Sequence, residues 1–588
     1  MTNKEIVSIL SEMAALYDMH GVQFKPRAYE KAALGVEAMD ESVADLFKRG
    51  GVKALTDIPG VGASIADHIA ALLAGKKFKE YDDLKKKVPV NVLELIAVEG
   101  VGPRMVKVLW EKLKVKNLAD LERAARAGKI RKLAHFGERS EQKILRGIEF
   151  LKTFRGRQIL GFILPEIRNL ETMIGAFPEI ARVEIAGSIR RRKETIGDVD
   201  IFATSARPEK AMARFLNLPF IAHVYSKGPT KTMVKLKNGL DADLRVVPEH
   251  SFGAALLYFT GSKDHNVALR ELAIRKGWKL NEYGLFRGAK ATARTQTIAG
   301  RTEEEIYKKL GLRYIEPELR ENLGEIEAAL RQAQGKSGGL PKLIGYGDLK
   351  GDLQTQTSWT DGEDSIEEMA KAAEKAGLEY IAITDHTKSL AMTGGADEKK
   401  LVKQMKAIDK ANAALKRTGH TIAVLKGAEV NIAKDGTLDI KDEVLKKLDV
   451  VGAAVHSHFN LSREEQTKRV TRAMENPNVD IIFHLTTRVI QKREPIELDV
   501  DAIIRAAKRT GTVLEIDAYP DRLDLKDEYI RKCVAAGVKM SVDSDAHSAA
   551  HFKCLEIGIA QARRGWATKD DIINAWPLRK MLGFLKKR

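Results

Sequence analysis

Along the first third of the chain, apolar positions recur at three- and four-residue steps, the spacing of a helix face turned to a core. Ile6, Ile9, Leu10, Met13 and Leu16 mark one such face in a run of short helices over residues 1–50; Ile65, Ile69 and Leu72 mark a second, and Val106, Leu109 and Leu113 a third. From residue 183 the period changes to two. Residues 183–186, 199–202 and 240–247 are short apolar runs of strand type. A glycine-rich break, AQGKSGGLPK at 333–342, then reads as a linker. Beyond it, apolar runs near 350–355, 380–384, 424–428, 449–455, 479–483, 512–516 and 538–542 alternate with helical stretches. That rhythm predicts a parallel barrel of seven strands, a distorted (β/α)7.

Acidic residues interrupt the strand-type runs in a pattern that points to chemistry. In Gly197-Asp198-Val199-Asp200 the two aspartates share one strand face, about 6–7 Å apart. Carboxylates at that spacing can bridge two divalent cations for in-line displacement at phosphorus. Upstream, Gly187-Ser188 opens a turn whose N–H groups and hydroxyl suit phosphate oxygens, and Arg190, Arg191 and Arg192 add cations. A lone Asp-x-Asp is most often an Asx turn between surface strands; the turn and the arginines argue otherwise. A second alternating run, Asp241-Ala242-Asp243-Leu244-Arg245, supplies a third acid, and Tyr258-Phe259-Thr260-Gly261-Ser262 follows it, then Lys263, Asn266 and Arg270.

Composition narrows the class. At 588 residues the chain exceeds one core and predicts three or four domains. No apolar run is long enough to span a membrane, and MTNKEIVSIL has no signal-peptide core, so a cytoplasmic protein without a membrane partner is expected. Cys533 and Cys554 form neither a disulfide framework nor a C-x-x-C metal motif. The formal charge of +18 is uneven: residues 1–157 hold 29 Lys and Arg against 21 Asp and Glu, residues 158–316 hold 26 against 18, and residues 317–588 hold 44 against 42. Positive charge gathered beside phosphate-type motifs favours nucleic acid.

Taken together, these motifs resemble the family X DNA polymerases, the DNA polymerase beta relatives. The resemblance implies catalytic, metal-binding aspartates at Asp198, Asp200 and Asp243, with Mg2+ or Mn2+ as cofactor. It implies nucleotide contacts from Gly187, Ser188, Arg191, Gly197, Arg245, Tyr258, Phe259, Thr260, Gly261, Ser262, Lys263 and Asn266. Lys227, Lys231 and Arg270 would face DNA. Gly60-Val61-Gly62 and Gly100-Val101-Gly102 each open an amphipathic helix and resemble helix-hairpin-helix motifs. Their glycines allow close approach to DNA, and the following helix N-terminus meets a phosphate without reading sequence. Animal relatives carry a Schiff-base lysine on the first of these helices. His68 stands there and Ser64 at a nearby phosphate-contact position, so the domain is expected to grip a 5′-phosphate rather than act as a lyase, although Lys25, Lys31 and Lys76 lie near in sequence. The expected organisation is a helical DNA-binding domain at 1–85, a second at 86–157, an α/β nucleotidyltransferase palm at 158–248, a nucleotide-selection subdomain at 249–316, a linker at 317–342 and the barrel at 343–588.

The barrel resembles the PHP (polymerase and histidinol phosphatase) domain. Ligand-type residues follow its strand-type runs: Asp361, His386, Glu429, His456, His484, Asp545 and His547, where barrel active sites lie. The family opens on GDLHTHT-SDG; here the segment reads GDLQTQTSWTDG, with Gln354 and Gln356 at the two histidine positions. An amide oxygen is a weak ligand for zinc or manganese where imidazole is a strong one. The resemblance groups those positions with Glu429 and Asp545 as one site, Glu429, His456 and His484 as a second, and Asp361, His386 and His547 as a third. A 3′→5′ exonuclease impaired by the glutamines is expected, with Zn2+ or Mn2+ at a partly degenerate site. The leading expectation is a monomeric, template-directed polymerase that fills short gaps in DNA repair, with gapped or primer–template DNA and dNTPs as partners. A phosphoesterase acting mainly through the barrel, or a non-catalytic gap-binding scaffold, are the alternatives.

Overall fold

The computed structural model describes all residues except 2, 38, 40, 41, 76–78, 99, 135, 154, 155, 289–296, 391, 392, 587 and 588; Lys76 thus lies outside the described residues. The chain divides into two compact units, one of residues 1–155 with 488–495 and the other of residues 156–487 with 496–588.

The first unit is helical. Its opening helix, Asn3–Met19, is longer than the short helices expected, and it buries Ile6, Leu10, Met13 and Leu16 in one core with Ile65, Ile69, Val106 and Leu109. Each glycine hairpin precedes a helix: Gly62 caps α1 (Ala63–Leu73) and Gly102 caps α2 (Pro103–Leu113). Gly60 has φ +76°, and a Cβ there would fall 2.7 Å from the Lys31 backbone, so the hairpin closes only on glycine.

In the second unit, a five-stranded sheet comes first: β1 (Ile180–Ile185), β2 (Asp198–Ser205), β3 (Ile221–Lys227), β4 (Lys231–Leu236) and β5 (Asp241–Val246), in the order β1-β2-β5-β4-β3. All its pairs are antiparallel except β2 with β5. The short helix α3 (Gly187–Arg190) lies between β1 and β2. Two helices follow the sheet, α4 (Phe252–Thr260) and α5 (Lys263–Arg275), and then a small antiparallel sheet of β6 (Trp278–Asn281), β7 (Gly284–Arg287) and β8 (Thr297–Ala299).

The barrel is as the apolar rhythm predicts. Strands β9 (Gly351–Thr355), β10 (Tyr380–Ile383), β11 (Ala423–Asn431), β12 (Val450–Ala454), β13 (Ile481–Ile482), β14 (Val513–Asp517) and β15 (Met540–Asp543) pair in sequence order, all parallel. Side chains stitch the seam between first and last. Asn574 Nδ2 donates to the carbonyls of Gly351 and Val542 at 2.9 and 2.6 Å, and Leu353 N donates to Asp543 Oδ1 at 2.7 Å. These bonds satisfy backbone groups that an open edge would leave bare. Helix α6 (Leu555–Arg564) packs Leu555, Ile559 and Ala562 into the barrel's main core. Among the described residues, no helix is long and apolar enough to cross a membrane.

Candidate functional site

Strand alternation aims the acids of the first sheet. Val199, Ile201, Ala242 and Leu244 fill the core, which turns Asp198, Asp200 and Asp243 to the other face. The parallel register sets Asp200 directly opposite Asp243. Burial, then the charges of Asp198 and Asp243, push the Asp200 carboxyl up to about 6, against Arg245 and Arg191. Asp243 Oδ2 accepts from Arg245 Nη2 at 2.9 Å and lies 3.5 Å from Lys231 Nζ, while its Oδ1 is buried without a partner. Three mutually repelling carboxylates with an orphaned oxygen fit divalent cations, which would relieve both the repulsion and the missing bond.

Gly187, at φ +65°, begins the turn that faces these acids. A Cβ on it would lie 2.6 Å from Asp200 Oδ2, so the turn can close over the carboxylate only with glycine. A cleft of about 470 Å³ opens there, lined by Gly187, Ser188, Arg191, Asp198 and Asp200 on one side and by Tyr258, Phe259, Gly261, Lys263, Asn266 and Arg270 on the other. The remaining expected residues surround it. Thr260 is buried and its Oγ1 accepts from Arg190 Nη1 at 2.8 Å; Ser262 Oγ caps α5 through His265 N at 3.3 Å. Gly197 lies in the turn before β2, where a Cβ would be 3.6 Å from Arg157 Nη1. The Arg245 guanidinium stands 4.5 Å from the Phe259 ring centroid, and Lys227 is exposed at the end of β3. Asn266 Nδ2 donates to the Tyr258 carbonyl at 2.5 Å, and Arg270 Nε to the Asn266 carbonyl at 3.3 Å.

The arginine triplet does not act as one cluster. Arg190 gives its guanidinium to buried Glu303 at 2.7 and 2.9 Å, and Arg192 lies 3.1 Å from Glu556. Only Arg191 of the three lines the cleft. Sequence reasoning missed two other cations in its lining, Arg157 and Lys193, because a basic run does not say which of its members turns to the cleft.

At the barrel's C-terminal end, Asp361, His386 and His547 present ligating atoms to one another, as do His386, Glu429 and His456. Asp361 Oδ2 is 3.6 Å from both His386 Nε2 and His547 Nε2. Glu429 Oε1 is 2.9 Å from His456 Nε2 and from His484 Nε2. Burial alone would raise the Glu429 carboxyl, but His386, His456 and His484 hold it well below the usual range. Asp361 Oδ1, His386 Nδ1 and His484 Nδ1 are buried without hydrogen-bond partners, although His386 Nδ1 lies 3.5 Å from Glu429 Oε2, and this fits a divalent metal. Gln354 and Gln356 come to the same carboxylate. Their Nε2 atoms donate to Glu429 Oε2 at 3.1 and 2.8 Å. The Asp545 carboxylate lies 3.8 Å from Arg522 Nε and 3.8 Å from His547 Nδ1. The partly buried Arg522 guanidinium also lies 3.6 Å from Asp517.

On the first hairpin helix, His68 Nδ1 is 2.7 Å from Tyr29 OH, and burial lowers its pKa. Lys25 Nζ joins the same cluster, 2.7 Å from Glu80 Oε1; Lys31 and Ser64 are exposed.

Four family models match in chain order: a helix-hairpin-helix domain at 1–78, a SAM-like helix-hairpin-helix tandem at 92–149, the DNA polymerase beta thumb at 255–321 and the PHP domain at 352–551. The chain is 34% identical over 590 residues to the DNA polymerase/3′-5′ exonuclease PolX of Bacillus subtilis (strain 168), with 100% of both chains covered. The chain belongs to the family X DNA polymerases that carry a PHP domain. It is a DNA-directed DNA polymerase. Its first part is similar to DNA polymerase lambda of Rattus norvegicus, 28% identical over 353 residues that cover 54% of this polymerase and 56% of the relative. Its barrel is similar to a probable phosphatase of Thermoanaerobacter sp. (strain X514), 30% identical over 234 residues that cover 38% of this polymerase and 89% of the relative.

Proposed function

We propose that this polymerase adds nucleotides to a primer 3′-hydroxyl across short gaps in DNA repair, acting as a cytoplasmic monomer. The single observation that carries the assignment is the register pairing Asp200 with Asp243 across from the Gly187-Ser188 turn. Asp198, Asp200 and Asp243 would hold Mg2+ or Mn2+, which supplies charge neutralisation at the transferred phosphoryl group and favours the primer alkoxide. Asp243 accepts the hydroxyl proton. Ser188 and Arg191 hold the triphosphate, Tyr258, Phe259 and Gly261 crowd its sugar, and Asn266 and Arg270 face the base pair from the minor groove. Gly60, Gly62, Gly100 and Gly102 let the two hairpins approach the duplex backbone on either side of the gap, and Lys227 and Lys231 lie along the primer.

A second reading concerns the barrel. The amides of Gln354 and Gln356 occupy Glu429 Oε2, which supports a phosphoesterase site weakened at one metal position, retaining Zn2+ or Mn2+ mainly through Asp361, His386, His456 and His547. One assay tests both parts. On a gapped, 5′-phosphorylated primer–template with dNTPs and Mg2+ or Mn2+, the chain is expected to extend the primer to the gap's end, with affinity falling steeply as salt rises. Primer shortening in place of extension would make the barrel the main centre, and binding without either reaction would leave a scaffold.

A further inference from the structure

Arg191 is held from behind by the barrel. Its Nε donates to Glu321 Oε1 at 3.2 Å, and its Nη1 donates to the Thr260 carbonyl. Among the described residues this leaves Nη2 uncommitted on a side chain that lines the cleft. Glu321 is in turn gripped by Arg564, the last residue of α6, whose Nη1 donates to Glu321 Oε1 at 3.1 Å and to the backbone carbonyl of Arg191 itself at 2.8 Å. Asp527 Oδ2 anchors the other arm of the fork at 2.5 Å. Lys193 completes the group, 3.7 Å from Glu321. Burial alone would raise the Glu321 carboxyl; Arg564, Lys193 and Arg191 hold it below its usual range.

A carboxylate beside a phosphate-gripping arginine is a competitor for that arginine. An anion attached to Arg191 weakens its pull on a triphosphate unless another cation shares the anion. Arg564 is placed to share it, and its second contact pins the Arg191 main chain at the end of α3. The two-armed geometry requires arginine: Nη1 takes Glu321 and the Arg191 carbonyl while Nη2 takes Asp527, and a lysine's single nitrogen could neutralise Glu321 but could not span both sets.

We propose that Arg564, on the PHP barrel, is a positioning residue for nucleotide addition, acting through Glu321 to keep Arg191 free for the triphosphate of the incoming nucleotide. The barrel thereby serves the polymerase centre whether or not it hydrolyses anything. The inference rests on the assignment of Arg191 to the triphosphate.

Steady-state extension of a gapped primer–template by the full chain tests it. Arg564→Ala is expected to raise KM for the nucleotide about tenfold with kcat within about twofold, because binding of the triphosphate is what suffers. Adding Glu321→Gln to Arg564→Ala removes the competing charge and is expected to bring KM back to within about threefold of the parent, the non-additivity that a coupled pair shows. Since Arg564 is buried, Arg564→Lys guards against misfolding and is expected to raise KM about threefold. Arg168→Ala is the control for docking in general: it cuts the contact of Arg168 with Glu556 on the same helix, at 2.5 and 2.8 Å, and should leave KM unchanged. Equal KM changes in the Arg168 and Arg564 variants, or additive losses in the double variant, would overturn the relay. Arg191→Ala separates the two levels. If it raises KM while the Arg564 variants do not, only the relay fails; if it leaves KM unchanged, the triphosphate assignment fails and the relay with it.

Discussion

Asp200 and Asp243 face each other as register partners on neighbouring parallel strands, in a sheet whose other pairs are antiparallel. That single parallel pair brings two acids 43 positions apart into one field and, by strand alternation, carries Asp198 with them. Asp200→Ala is expected to cut extension by about a thousandfold or more, since it removes a cation-bridging carboxylate. Affinity for gapped DNA should stay within about twofold, because the duplex is gripped by cations elsewhere. Rapid-quench turnover and a binding titration on the same preparation check both halves, and near-normal turnover would dismiss the proposed centre.

Gly187→Ala tests the turn without touching an ionisable group. Its added methyl would meet Asp200 Oδ2, and its φ of +65° costs an alanine about 1–2 kcal/mol. Extension should fall by at least about tenfold while the barrel's unfolding is unchanged. The measurement is kcat beside a thermal melt; a variant that melts early as a whole would show that the turn serves the fold and not the reaction.

How far the chain could be read without coordinates depended on the range of the interactions. The alternation in Asp198-Val199-Asp200 and Asp241-Ala242-Asp243 is a backbone property, so the shared face was legible. Seven apolar runs at regular spacing likewise announced the barrel, since a buried parallel strand needs no partner to be recognised. The fate of the arginine triplet was not legible. Arg190, Arg191 and Arg192 are chemically alike in sequence, and what separates them is Glu303, Glu321 and Glu556, each more than a hundred positions away. The ion pair of Asp545 with Arg522 was not legible for the same reason: Arg522 sits in a loop with no motif of its own.

Glu303 gives the polymerase half a pH signature. Arg190 and Arg320 both bond it, at 2.7 and 2.5 Å. Burial would raise its carboxyl, but the two guanidinium groups hold it down to about 2. A depressed carboxyl stabilises the fold above its unfolded value near 4.5 and loses that contribution as pH falls toward 2. Glu303→Gln should therefore flatten the acid limb of the stability curve. At neutral pH it should cost about 3–5 kcal/mol, because buried Arg320 and part-buried Arg190 lose their counter-charge. Denaturant melts of parent and variant from neutral pH downward read both effects. An acid limb of equal slope in the two proteins would show that Glu303 does not titrate with folding.

The glutamines at the barrel mouth make the sharpest case. Both donate through Nε2 to Glu429 Oε2, and their own oxygens are buried without partners. An imidazole at either position would instead offer a nitrogen lone pair to a metal, a far stronger ligand than an amide oxygen. The parent chain should therefore bind fewer than three metals per molecule and shorten single-stranded 3′ ends feebly. Gln354→His together with Gln356→His should raise metal content by about one ion, because Glu429 would be released from the amides to act as a bridge. Nuclease activity should follow unless Leu485 and Thr487, beside His484, hold the pocket in its present shape. Metal analysis of the dialysed protein reads the first effect independently of any turnover, and extension should be the same in both chains. Strong nuclease activity in the parent, lost in His547→Ala and kept in Asp200→Ala, would show that two amides suffice where two imidazoles were expected.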